Sequence, residues 1–261
     1  MKYLLAGISP AEYLQLISEK FTEAGDPIRA EQQRAYMKHQ FEYCGLGAPQ
    51  WMAMAKEIFA EHGMYNGKHL KQFIKLCFDQ EYREIQYVSL EMMQRMLPEQ
   101  NKNWIRVLEK CITTHSWWDS VDWLAKLVGM HFKKFPELQH EYAHKWISSG
   151  NMWLQRVAII HQLFYKETTD EKLLFEMIRR VADSKEFFLR KACGWALRQY
   201  AKTNPTTVEK FLAKTNLSNL SVREAMKQIF YSIHSGVTRS DQVLLLSVQD
   251  TNLKQGQRSY T

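Results

Sequence analysis

The chain has 261 residues, 45% of them hydrophobic and 24% charged, with a formal net charge of +7. That length suits one large domain or two small ones, and the balance is that of an ordinary globular protein. No segment approaches 18 uninterrupted apolar residues, which excludes a membrane-spanning helix, and the surplus of cations points to polyanions, nucleic acid first and anionic membrane second.

The apolar run between Met1 and Pro10 is too short for a secretory leader, so a cytoplasmic location is expected. Ser9-Pro10-Ala11-Glu12 then opens a helix, with Ser as cap, Pro at the first helical position and Glu three residues on. From there helical periodicity is nearly continuous, and almost nothing reads as a strand. Thr168 with Glu171 and Ser221 with Glu224 repeat the same start signal. About twelve or thirteen helices on short turns must pack antiparallel, in pairs at roughly 35-residue intervals. The expected fold is therefore all-α: a HEAT-like helical-repeat solenoid of about six antiparallel helix pairs with a concave basic face. Residues 1–236 read as a single repeat domain and 237–261 as a polar C-terminal tail. Cys44, Cys77, Cys111 and Cys193 form no CxxC pair and read as small buried hydrophobes in a reducing compartment.

Three stretches stand out in chain order. In Ser116-Trp117-Trp118-Asp119-Ser120-Val121-Asp122, the residues Trp117, Val121, Leu124 and Val128 share a core face, while Trp118 and Asp122 share its edge. Asp119 fits helix-dipole stabilisation in a first turn; Asp122, further in, needs a partner or a task. In Asn151-Met152-Trp153-Leu154-Gln155-Arg156, Arg156 continues the apolar stripe of Ile159, Ile160 and Leu163 and so requires an acceptor. A phosphate, or a carboxylate such as Asp122 in a structural ion pair between repeats, would both serve, and the two readings stand level. In Phe187 to Arg198, the core stripe is Leu189, Cys193, Ala196, Leu197 and Tyr200. Lys191, Trp195 and Arg198 form a separate basic–aromatic–basic stripe suited to phosphates beside a stacking surface. Gly194 allows another backbone to come close beside Trp195.

These three motifs, with Tyr36-Met37-Lys38, Tyr87-Val88 and Ser221-x-Arg223-Glu224-Ala225 in the same order, resemble the AlkD family of DNA alkylation repair glycosylases over roughly residues 25 to 235. The resemblance implies HEAT-like repeats and hydrolysis of the N-glycosidic bond of cationic lesions such as 3-methyladenine and 7-methylguanine, with the lesion left in the duplex. It implies Asp122 as the catalytic carboxylate, Trp118 and Trp195 against the lesion, and Arg156 nearby on the DNA backbone. Lys191, Arg198, Lys38, Arg190 and Arg223 complete the set expected on phosphates. The expected partner is double-stranded DNA carrying alkylated bases, met by a monomer without metal or other cofactor. The chemistry is coherent, because a cationic base is already a good leaving group. Indole faces favour the cation, and a carboxylate favours the oxocarbenium-like sugar. The chain departs from the family at Gln50-Trp51 and Gln155, where basic residues are usual.

Two other readings compete. A helical solenoid is often a non-enzymatic scaffold for DNA or protein. His140-Glu141-Tyr142-Ala143-His144 matches the HExxH zinc-peptidase signature, with Glu167 as the nearest downstream third ligand, but three fixed residues in five recur by chance.

Overall fold

The computed structural model describes residues 5–233, so the tail at 237–261 lies outside the described residues. Among them are thirteen α-helices and three single-turn 3-10 helices. There is no strand, only isolated bridges pairing Leu5 with Met64 and Glu42 with Tyr82. No described helix is long and apolar enough to cross a membrane. The fold is all-α, and the chain divides into two compact units between Phe164 and Tyr165.

The first unit holds α1 (Pro10–Glu23), α2 (Pro27–Tyr36), α3 (Ala48–His62), α4 (Gly67–Phe78), α5 (Arg83–Met96), α6 (Ile105–Ile112), α7 (Trp118–Lys134), α8 (Glu137–Ile147) and α9 (Met152–Ile160). The first start signal forms as read: the Ser9 hydroxyl accepts from the Glu12 N–H, and the Glu12 carboxylate accepts from the Ser9 N–H. Helix α4 packs on α5, α6 on α7 and α8 on α9, and α7 touches both α5 and α9. Short connections force each pair antiparallel. The result is a row α5–α7–α9, each helix backed by α4, α6 or α8. In α7 the expected core face forms at Val121, Leu124 and Val128, which are fully buried, each contributing about 1.5–3 kcal/mol of apolar burial; Trp117, expected with them, precedes the helix in extended conformation and is half-buried.

The second unit holds α10 (Glu171–Arg180), α11 (Phe187–Tyr200), α12 (Pro205–Lys214) and α13 (Asn219–Ile233). Here the start signals shift. Asp170, not Thr168, caps α10 by accepting from the Leu173 N–H, because Thr168 still belongs to the preceding 3-10 turn. Ser218, not Ser221, accepts from the first turn of α13, since that helix already runs at Asn219. Helices α11 and α13 make the unit's main interface. Gly194 is what permits it: a Cβ there would lie 2.5 Å from the Glu224 Cβ and 2.8 Å from the Ser221 carbonyl oxygen. Leu189, Cys193, Ala196 and Leu197 are buried as expected. Tyr200 stays half-buried because its hydroxyl donates to Glu171 at 2.8 Å. All four cysteines are buried, and no disulfide joins them.

Candidate functional site

The N-terminal turns of α7 hold Trp118, Asp119 and Asp122, candidate site residues of the first unit. Trp117 precedes the helix in extended conformation. One turn after Trp118, Asp122 faces α9, and Arg156 meets it with two parallel hydrogen bonds. The guanidinium Nε donates to Oδ1 at 2.7 Å and one terminal nitrogen donates to Oδ2 at 2.8 Å. The arginine side chain is 5% exposed and the aspartate 19%. Of the two acceptors open to Arg156, the structure therefore supplies the carboxylate. Burial pushes the Asp122 carboxyl above its usual range, against the hydrogen bonds and charge of Arg156, and nearby Asp119 pushes the same way. A charged side chain held by a bidentate arginine at the edge of solvent can still accept hydrogen bonds from water.

Aromatic rings crowd this region. The exposed ring of Tyr36, at the end of α2, stands edge-on to Trp118 at 5.9 Å. Trp51 lies between Tyr87 and Trp123 at 5.7 and 6.2 Å, and Trp117 lies 5.9 Å from Trp153. Trp51, noted in the sequence only as a departure from a basic residue, is a buried core ring. The other departures are also engaged by protein: Gln50 accepts from Arg29, and Gln155 donates to the Ile147 carbonyl. Lys38 sits exposed on the turn after α2 with φ 59°.

A second arginine–aspartate pair, not read from the sequence, lies one turn back. Asp119 accepts from fully buried Arg83 of α5 through two bonds of 2.8 Å and from the Tyr87 hydroxyl at 2.5 Å. Arg83 also donates to Ser120, Gln86 and the His115 carbonyl, and its guanidinium covers the Phe41 ring at 3.8 Å. Asp119 does sit in the first turn, as expected, but its oxygens serve this network. Next to Arg83, the buried Glu84 carboxylate accepts from the N–H groups of Cys44, Gly45 and Leu46 at 3.0, 3.0 and 3.1 Å, fastening the loop before α3. Burial raises its pKa, and those backbone donors oppose the shift.

In the second unit the basic stripe converges on one carboxylate. Glu224 accepts from Lys191 at 2.9 Å, Arg198 at 3.0 Å and Lys227 at 2.7 Å. Although burial acts to raise it, the lysines hold the Glu224 carboxyl below its usual value. Three cations against one carboxylate leave a positive surface beside the half-buried Trp195. Arg190 donates to the Ser184 carbonyl, and Arg223 is exposed. His140 and His144 stack on α8 at 6.0 Å, with the His144 Nδ1 2.7 Å from the His140 carbonyl oxygen. Among the described residues, no three His, Cys, Asp or Glu side chains group so as to hold a metal ion.

A family model described as DNA alkylation repair enzyme matches residues 17–229. A solved structure described as a predicted DNA alkylation repair enzyme from Enterococcus faecalis is 32% identical, with 78% of this chain and 95% of that one covered, at a TM-score of 0.74. AlkD2 from Streptococcus mutans is similar at 15% identity and a TM-score of 0.58, over 85% of this chain and 98% of its own. The protein smu.31 from Streptococcus mutans UA159 is similar at 14% identity and a TM-score of 0.55, over 83% and 97%. These last two share the helical-repeat fold. No curated protein matches.

Proposed function

This chain belongs to the family of DNA alkylation repair enzymes, and from that premise we propose that it is a DNA glycosylase. It hydrolyses the N-glycosidic bond of cationic alkylated purines, 3-methyladenine and 7-methylguanine, in duplex DNA without flipping the base. The observation that carries the reading is the Asp122 carboxylate, clamped by Arg156 one turn after Trp118 and left partly open to solvent.

Ionised Asp122 acts on the sugar. As the bond to the cationic base lengthens, positive charge moves to the deoxyribose, and a fixed anion stabilises it without reorganising. The same oxygens orient the water that completes hydrolysis. The base leaves as a neutral purine, so no general acid is required. Trp118, and in the second unit Trp195, offer electron-rich indole faces to the cationic lesion. Arg156 holds the carboxylate in place beside the DNA backbone, and Lys38, Lys191, Arg198, Arg190 and Arg223 meet phosphates. The cluster on Glu224 keeps Lys191 and Arg198 ordered before DNA arrives. The protein acts as a monomer and needs no cofactor. The test is release of methylated bases from alkylated duplex DNA. Wild type should release both purines; if it releases neither while still binding the duplex, the scaffold reading replaces this one.

A further inference from the structure

A groove of about 570 Å³ opens between α4 and α6, in the helices that back the α5–α7–α9 row. Its floor is apolar: Ile74, Phe78 and Cys111 are buried and Val107 is half-buried. Burial pushes the Cys111 thiol up to about 12, so it is a protonated, unreactive part of that floor. Each bank carries two exposed cations one helical turn apart, Lys71 and Lys75 on α4 and Arg106 and Lys110 on α6. The one carboxylate on the lining, Asp79, is tied to Lys75 at 2.7 Å. Glu109, the acid of α6, is turned away to Lys145 and the Trp146 indole N–H. Nothing in the chemistry of α7 uses this groove.

We infer that the groove docks an acidic amphipathic helix of a partner protein. A small anionic amphiphile would meet one or two of these cations and leave the others unmatched. The pattern repeats along the groove instead, at the i, i+4 spacing on both banks, about 6 Å per step. A helix whose apolar stripe is flanked on both sides by Asp or Glu one turn apart matches the floor and both banks together. Four cations against one already paired carboxylate supply the complementarity.

The test uses the full chain and a synthetic, terminally blocked peptide of about four turns. It has Leu and Phe on one stripe and Glu on both flanks, and its binding is followed by calorimetry and by NMR shifts. Saturable one-to-one binding is expected, with shifts at Ile74, Val107 and Cys111. At least a tenfold loss is expected in Arg106→Glu/Lys110→Glu and in Val107→Asp, with their thermal midpoints and base release unchanged. Oligoglutamate of equal charge should bind at least tenfold more weakly. The inference is overturned if no saturable binding occurs up to millimolar peptide, or if the charge-reversed variant binds equally well. It also falls if laurate binds there where the peptide does not, or if the charge reversal weakens duplex DNA binding instead, which would assign the face to DNA. Base release reports separately on the glycosylase reading, so either can fail alone.

Discussion

Replacing Asp122 with asparagine keeps the shape of the side chain and removes its charge. In wild type both carboxylate oxygens are held by Arg156 at 2.7 and 2.8 Å, so on the proposed mechanism the anion is positioned before the sugar becomes cationic. Loss of a preorganised stabiliser in a partly dry site costs about 3 kcal/mol in the barrier, or about a hundredfold in rate. Asp122→Asn should therefore slow single-turnover release of 7-methylguanine about a hundredfold, while duplex affinity by fluorescence anisotropy changes little, since no phosphate contact is removed. The amide oxygen still accepts from Arg156, so stability should fall by less than the about 3–5 kcal/mol typical when one partner of a buried pair is deleted. Asp119→Asn is the contrast. It strips the counter-charge from fully buried Arg83 and weakens the hydroxyl bond of Tyr87, so it should lower the thermal midpoint sharply while the folded fraction keeps its rate. A folded, slow Asp119→Asn beside a nearly normal Asp122→Asn would refute the assignment of the catalytic carboxylate.

The remaining predictions concern the groups around it. Burial raises the Asp122 pKa and Arg156 opposes that, so activity should climb with pH along an acid limb lying above the ordinary aspartate range; Arg156→Gln should move that limb further up, and a limb unmoved or lowered in the pH–rate profile would contradict the role assigned to Arg156. Glu84→Ala leaves three N–H groups of the loop before α3 without their acceptor, and at about 1–3 kcal/mol for each buried unsatisfied group urea denaturation should report a loss of at least about 3 kcal/mol. Gly194→Ala drives a methyl group into Glu224 and the Ser221 backbone, so it should cost about 1–3 kcal/mol by overpacking and disturb the α11–α13 interface; unchanged stability would mean that the helices can separate freely. Lys38→Ala should lower the salt slope of duplex binding by about one, and an unchanged slope removes Lys38 from the phosphate contacts.

Much of this was legible in the sequence wherever the governing rule is local. The 3.6 period fixed the helices, the four-residue spacing put Trp118 and Asp122 on one edge, and the need for an acceptor on the stripe of Arg156 led to Asp122 among two choices. Gly194 read correctly as a place of close approach because no other property explains a glycine inside a helix. What stayed hidden depends on partners far along the chain. Asp119 finds Arg83 across 36 residues, and Lys191 and Arg198 find Glu224 across 33 and 26; side-chain rules reach only three or four. Trp51 was similarly opaque, because the rings that enclose it, Tyr87 and Trp123, come from α5 and α7. The shifted caps at Asp170 and Ser218 have a simpler cause: several residues near a helix start can accept, and the one chosen depends on where the preceding turn ends.

The two arginine–aspartate pairs on α7 differ in what is left of each carboxylate. Asp119 is 8% exposed, opposite an arginine with no exposure at all, and it takes a phenol hydroxyl as well as the bidentate arginine. Such a group is enclosed, with three of its about four acceptor positions taken. Asp122 has the same bidentate clamp with more than twice the exposure and a pKa raised by burial. For a carboxyl whose folded-state pKa lies above its unfolded one, the contribution to stability is greatest below the unfolded pKa and is lost as pH rises through the folded one. Above that folded-state pKa the ionised Asp122 therefore works against the fold, and a buried ion pair seldom outperforms apolar side chains of equal volume. The double replacement Asp122→Leu/Arg156→Met should leave the thermal midpoint unchanged or raise it while abolishing base release. A large loss of stability in that variant would make the pair structural, and the charge on Asp122 would then serve the fold rather than the sugar cation.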